Sequence, residues 1–430
     1  MVDAHRAEML LRLLKKEVVP AVGCTEPIAV ALAVAKAKET LGTLPERIEI
    51  ATSLNIYKNG MGVGIPGTDK VGLPIASALG AIAGRADKAL EVLAEVQPQH
   101  VDAAQKYIDD GHVSISIAEN CDKLYVKASA FAGPDCCTVE ITGSHTNIVS
   151  ITLNDQVVFH KEPEAEDAVD EEAYETTIDE IFEFAKTQPI DDIRYILDAA
   201  MVNKELSNYG LAHRSGMAIG ATLLSWISRR KLNDDFSNYA MALTAAASDA
   251  RMSGALLPAM SNSGSGNQGI TAMMPVLATA EKLGSNEEDV IRALILSNLT
   301  AIHIKHGFGR LSAACGCVVA STGAACGVCY LLGGNLMQIK SAIKNMIGNL
   351  AGMVCDGAKL GCALKVASGT SAALQAAILA LEGVSVPGSN GIIEDDVERA
   401  INNLGTIANE AMNNADRVIM NIMLSKPSLS

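Results

Sequence analysis

The chain has 430 residues, with 34 basic and 49 acidic side chains, a net charge of −15 and a sequence pI near 5.0. Hydrophobic residues make up 49% and charged residues only 19%, which excludes disordered and low-complexity classes and allows two or three separate cores. An acidic chain of this kind has no basic footprint, so neither nucleic acid nor a membrane surface is an expected partner. Aromatics are 3% against 36 glycines and 16 methionines. Small residues must therefore fill much of the core, and backbones should approach closely.

Met1 to Lys16 reads as an amphipathic helix, without the uncharged stretch and small-residue cleavage site of a secretory leader. The expected location is cytoplasmic, where ten cysteines serve as reduced thiols or metal ligands. Glu26 to Leu41 continues as an Ala/Val-rich helix with Pro27 in its first turn. Arg47 to Tyr57 alternates like a strand; Leu73 to Ala83 and Lys88 to Val96 read as helices. Short strands are predicted over 113–118, 124–130, 137–142, 147–153 and 156–159, with Asn154-Asp155 as a hairpin turn. Glu162 to Glu175 is an acidic run, read as a solvated linker.

Beyond that run almost everything reads as helix, including 205–231, 236–253, 287–304, 336–353, 371–381 and 395–423. The expectation is an α+β fold: an amino-terminal α+β domain with a largely antiparallel sheet (1–165), then an all-α domain (166–430). Two uncharged stretches, Met252 to Ala280 and Leu311 to Ile339, raise the question of membrane spans. The first carries Ser261, Asn262, Ser263, Ser265, Asn267 and Gln268 at its middle, and the second is poor in large apolar residues. Both read as buried helices.

Three segments combine flexible backbone with polar side chains: Lys58 to Thr68 (KNGMGVGIPGT), Ser261 to Thr271 (SNSGSGNQGIT) and His303 to Arg310 (HIKHGFGR). Glycine allows close approach of backbone N–H groups, and a following helix start attracts anions, so a small carboxylate is a natural guest. None matches a mononucleotide or dinucleotide phosphate loop. Among the cysteines, Cys121, Cys136 and Cys137 read as packing residues near strands. Cys326-Gly-Val-Cys329 lies in an Ala/Gly-rich helix without a second such pair, which also favours packing. Cys24, Cys315, Cys317, Cys355 and Cys362 sit in separated Gly-containing loops, a distribution that suits an iron–sulfur cluster better than tetrahedral zinc.

Glu17 to Ala35 (EVVPAVGCTEPIAVALAVA), KNGMGVGIPGT, SGSGNQG, GRLSAACGC and GMVCDGAKLGCALKV together resemble the L-cysteine desulfidase family over almost the whole chain. The carboxy-terminal half is similar, more distantly, to the catalytic part of bacterial iron–sulfur L-serine dehydratases. Their Cys-Asp-Pro segment appears here as Cys355-Asp356-Gly357. The resemblance implies a [4Fe–4S] cluster held by three cysteines with one iron open. Carried to this chain, the ligands are Cys24, Cys355 and one of the Cys315/Cys317 pair, Cys315 preferred and Cys362 in reserve.

The implied reaction is α,β-elimination of L-cysteine to hydrogen sulfide, ammonia and pyruvate, with L-serine as the alternative substrate. Asn59, Ser263, Ser265, Asn267 and Gln268 are the expected substrate contacts. His145, Lys305 with its neighbour His306, and Lys359 are the candidate bases. The small-residue helices suggest a homo-oligomer, with a dimer as the expected form. A pyridoxal-phosphate β-eliminase competes through the Ser-Gly-Asn segment but lacks its lysine and tetra-glycine motifs, and a helical binding or membrane protein without catalysis is the remaining rival.

Overall fold

The computed structural model describes residues 3–161, 172–309 and 312–426. Its amino-terminal part runs α1 (Ala4–Glu17), β1 (Pro20–Val22), α2 (Thr25–Leu41), β2 (Arg47–Thr52), α3 (Leu54–Gly60), α4 (Leu73–Ile82) and α5 (Pro98–Asp109). The strands β3 (Val113–Ile117), β4 (Tyr125–Ala132), β5 (Asp135–Thr142), β6 (Ile148–Leu153) and β7 (Gln156–His160) follow. The helical part is α6 (Ile178–Thr187), α7 (Ile190–Ile193), α8 (Tyr195–His213), α9 (Ile219–Ser228), α10 (Phe236–Met252) and, after the short β8 (Pro258–Met260), α11 (Gly266–Leu283). It ends with α12 (Glu287–Phe308), α13 (Gly316–Leu331), α14 (Leu336–Leu350), α15 (Cys362–Leu381), α16 (Val397–Thr406) and α17 (Asn413–Leu424). The α+β class with a mostly antiparallel sheet and a helical second part is as expected. The expected boundary at 165/166 lies outside the described residues.

The main sheet has the order β3-β2-β4-β5-β6-β7, antiparallel except for the β2–β3 pair. Its core face carries Ile48 and Ile50, Val126, Ala128 and Ala130, then Cys137, Val139 and Ile141. These alternate with outward residues, as the two-residue strand period requires. The Ala/Val face of α2 packs on this layer, forming one hydrophobic core with α4. A second core joins the helical part. Although α1 precedes the sheet in sequence, its Met9, Leu10, Leu13 and Leu14 belong to this helical core. A two-stranded β1–β8 pair ties the start of the chain to the entry of α11.

Several element boundaries differ from expectation for local reasons. The strand at Arg47 ends at Thr52, because Ser53 accepts the Ile56 N–H at 3.3 Å and starts α3. Residues 88–96 form no α-helix; a short 3-10 turn covers Ala86–Glu91, and α5 was not anticipated. The helix expected over 205–231 breaks into α8 and α9 at Arg214, Gly216 and Ala218, all left-handed. Likewise 395–423 divides into α16, a π-helical turn at Ile407–Ala411, and α17.

The stretch from Met252 to Ala280 becomes β8 and the buried α11, and α13 lies buried in the second stretch. Among the described residues one helix, Cys362–Leu381, is long and apolar enough to cross a membrane, and half of its apolar window is buried inside the protein.

Candidate active site

The two cores meet at a small apolar cluster of Cys24, Val63 and Met252, with Ala358 and Cys362 against it. Beside this cluster lies a cavity of about 140 Å³, and five of the ten cysteines line it: Cys24, Cys315, Cys317, Cys355 and Cys362. They arrive on three segments: Cys24 at the start of α2, Cys315 and Cys317 at the start of α13, and Cys355 and Cys362 on and after the loop into α15. Gly23 takes a left-handed φ of +73°, where Pro66 leaves no room for a side chain. That turn delivers Cys24 to the amino end of α2, 2% exposed, and burial pushes its thiol up to about 12.

Cys315 and Cys355 are brought together by a backbone clasp. The Cys315 N–H donates to Met353 O at 2.9 Å, the Cys355 N–H donates to Ala313 O at 2.7 Å, and Ala314 bridges Val354. Their thiols share a hydrogen bond, which lowers the pKa of Cys355 and raises that of Cys315; the Lys58 ammonium adds to the lowering. Cys317, one helical step further, donates its thiol to Lys365 O at 3.1 Å, and burial pushes it up to about 12. Burial also raises Cys362.

The loop carrying Cys355 is pinned from the other part of the chain. Lys58, 1% exposed, reaches Cys355 O at 3.1 Å and Asp416 Oδ1 at 2.5 Å, while Asn55 Nδ2 donates to Asp416 Oδ2 at 3.2 Å. Gly357 has φ +92°, and a Cβ there would overlap Lys58 O. Proline, locked near −65°, cannot adopt that conformation. This accounts for glycine in place of the proline of the Cys-Asp-Pro pattern.

All the expected substrate contacts line the cavity: Asn59, Ser263, Ser265, Asn267 and Gln268. They come from helices as much as from loops. Asn59 is near the end of α3, Ser265 caps α11 by accepting the Gln268 N–H at 3.4 Å, and Asn267 and Gln268 lie in the first turn of α11. Asn59 donates Nδ2 to Glu26 Oε1 at 2.8 Å, and its buried Oδ1 has no hydrogen-bond partner among the described residues.

Of the candidate bases, Lys305 and His145 face the cavity. His145 arrives on the β5–β6 loop, and the expected loop around Lys305 is in fact the last turns of α12. Lys359 does not line the cavity. Its ammonium donates to Lys58 O at 2.9 Å and Ala358 O at 3.2 Å, and burial lowers its pKa. His306 is exposed and stacks on Tyr174, with ring centroids 4.7 Å apart, instead of facing the cavity.

Three charged lining residues were not anticipated: Glu26, Arg251 and Lys365. Glu26 is half-buried. Burial alone would raise its pKa, but the neighbouring His145, the Asn59 amide and Arg251 outweigh it and hold the carboxyl below its ordinary value. An acid two residues after Cys24 was the available signal, easily taken for a helix-start residue. Arg251 sits in the last turn of α10, where a basic residue is ordinary, so nothing marked it. Lys365 pairs with Asp356 and donates to Val354 O at 3.0 Å. Cys326 and Cys329 are wholly buried in the helical core, and Cys121, Cys136 and Cys137 lie away from the cavity.

The thiol donor set fits an iron–sulfur group in its chemistry, since thiolates are the ligands such clusters take. The thiols surround one cavity, although no three His, Cys, Asp or Glu side chains among the described residues stand in a finished metal-ligand arrangement.

Residues 87–421 match the family described as the serine dehydratase alpha chain. A UPF0597 protein of Bacteroides thetaiotaomicron is 47% identical over 99% of this chain and 99% of its own length. UPF0597 proteins of Oleidesulfovibrio alaskensis and Phocaeicola vulgatus are each 48% identical, over 96% and 99% of this chain and 97% and 99% of their own lengths. The matched region spans α5 to α17 and so takes in the Cys315–Cys355 clasp, His145, Lys305 and the whole of α11. The chain therefore belongs to the serine dehydratase alpha-chain family.

Proposed function

We propose that this protein is an amino-acid lyase that removes a β-substituent and the α-amino group from a small amino acid, with L-cysteine as its substrate and L-serine as the second reading. The observation that carries the proposal is the gathering of five thiols, the cationic side chains of Arg251, Lys305 and Lys365, and the Glu26 carboxylate around one cavity. The family match favours elimination from L-serine; the resemblance of the five quoted segments favours L-cysteine.

Cys24, Cys315 and Cys355 would hold a [4Fe–4S] cluster, which when bound supplies a Lewis-acidic iron. The chain's own groups do the rest. Lys305 stands at the cavity wall to take the Cα proton, and its place on α12 among packed residues keeps it oriented. Glu26 and the unpartnered Asn59 Oδ1 present acceptors suited to an ammonium group. Ser263 and Gln268 offer hydrogen bonds that hold the substrate in register. Aminoacrylate then leaves and hydrolyses to pyruvate and ammonia without help from the protein.

The test is an anaerobic assay of the iron-loaded protein for sulfide from L-cysteine and pyruvate from both amino acids. The expected result is turnover of L-cysteine, with Cys24→Ala, Cys315→Ala and Cys355→Ala each losing iron and activity. Full turnover in protein free of iron and acid-labile sulfide would overturn the cluster assignment. Turnover of L-serine alone would transfer the function to the second reading.

A further inference from the structure

Arg251 is only 6% exposed. Its Nη2 donates to Gly23 O at 3.1 Å, while its buried Nε has no hydrogen-bond partner among the described residues. The guanidinium lines the cavity and lies against the first turn of α11, an 18-residue helix. A Cβ added to Gly266 would sit 2.8 Å from Arg251 Cζ and overlap Nε, so only a bare backbone lets the two meet.

A buried cation set on the positive end of a helix is unfavourable without an anion to join them. The acids nearby bond to other groups: Glu26 feels the Arg251 charge but makes no hydrogen bond to it among the described residues. Glu26 Oε1 receives the Asn59 amide, and Asp249 Oδ2 accepts the Gly220 N–H at 3.0 Å. The first N–H groups of a helix, here those of Gly266 and Asn267, precede its internal bonding and point outward. A planar carboxylate matches the paired N–H geometry of a guanidinium.

We propose that Arg251, seated on Gly266 at the amino end of α11, is the anion anchor of the cavity and receives the α-carboxylate of the substrate. This rests on the amino-acid reading above. It assigns the carboxylate to the arginine and leaves the Asn59 side of the cavity to the ammonium group.

The experiment measures anaerobic calorimetric binding of L-alanine and of L-alaninamide to the iron-loaded protein. The two probes lack a leaving group and differ only in the carboxylate. A charged hydrogen-bonded pair predicts that the wild type prefers L-alanine by about 10- to 100-fold. In Arg251→Gln the ratio should fall close to one, and in Gly266→Ala it should fall because the guanidinium is displaced. Reading the ratio within each protein removes any general loosening of the fold.

A wild-type ratio near one, absence of binding included, overturns the proposal. So does an Arg251→Gln ratio within twofold of wild type, or an equal loss for both probes, which is the mark of a merely structural role beside Gly23. If the wild type turns over neither L-cysteine nor L-serine yet keeps the Arg251-dependent ratio, the lyase reading fails and the anchor stands. Turnover without the ratio does the reverse.

Discussion

Lys58 shows how one side chain can fix a distant site. Its ammonium is removed from water and compensated by Asp416 Oδ1 and Cys355 O, so the strand-side helix α3, the carboxy-terminal α17 and the cysteine loop share one buried ion. Removing one partner of such a pair leaves a buried charge, at a cost of about 3–5 kcal/mol, whereas replacing both with apolar groups is often tolerated. Lys58→Met should therefore lower unfolding stability by about 3 kcal/mol, and Lys58→Met with Asp416→Leu should recover at least half of it, by urea denaturation. Equal stabilities of the single and double variants would show that the pair is not coupled. The same residue scale explains which thiols matter. Cys326→Ala with Cys329→Ala should leave iron content unchanged, because both thiols are packed in the helical core and neither lines the cavity. Loss of iron in that double variant, read by metal analysis, would return the Cys-x-x-Cys pair to the ligand set.

At the scale of elements, glycine sets how closely helices pack. Gly323 of α13 faces the backbone of α12, where an added Cβ would overlap Ser297 O, and Gly269 of α11 faces Met260 O on β8 in the same way. Overpacking of this kind costs about 1–3 kcal/mol, and more where backbone must move. Gly323→Ala and Gly269→Ala should both destabilise by that amount in thermal or urea unfolding. Only Gly269→Ala should also weaken substrate binding, since α11 carries Ser265, Asn267 and Gln268 into the cavity. A rise in KM for both variants alike would refute the distinction. These contacts also explain the composition: few aromatics and many small residues suit helices whose backbones touch. The boundaries that differed from expectation were decided at this scale too. Ser53 and the left-handed run at Arg214 to Ala218 are local choices that hydrophobic period alone does not report.

Across the whole molecule, the cavity belongs to neither core alone. Its lining comes from α2, α3 and the β5–β6 loop of the sheet-bearing part and from α10, α11, α12, α13 and α15 of the helical part. A group bound there links the two cores, and binding to the folded state alone stabilises it. Stripping iron from the protein with a chelator under anaerobic conditions should therefore lower Tm by several degrees and increase proteolysis. An unchanged Tm after complete iron loss would separate cluster binding from the stability of the junction.

The fold class was legible because period-two alternation from Arg47 to Phe159 and long Ala/Gly-rich helical runs after Tyr174 are local signals. The cysteines, Asn59 and the α11 loop were legible as segments, since glycine and polar side chains in apolar surroundings stand out along a chain. Arg251, Glu26 and the Lys58–Asp416 pair were not, because each is an ordinary residue for its own helix and acquires meaning only from partners on other elements. Sequence by itself determined the elements and the kinds of donor, through interactions of residues near one another along the backbone. Tertiary structure alone decided which thiols share a cavity and which charges face it, because burial and the pairing it forces depend on how two separate cores are pressed together.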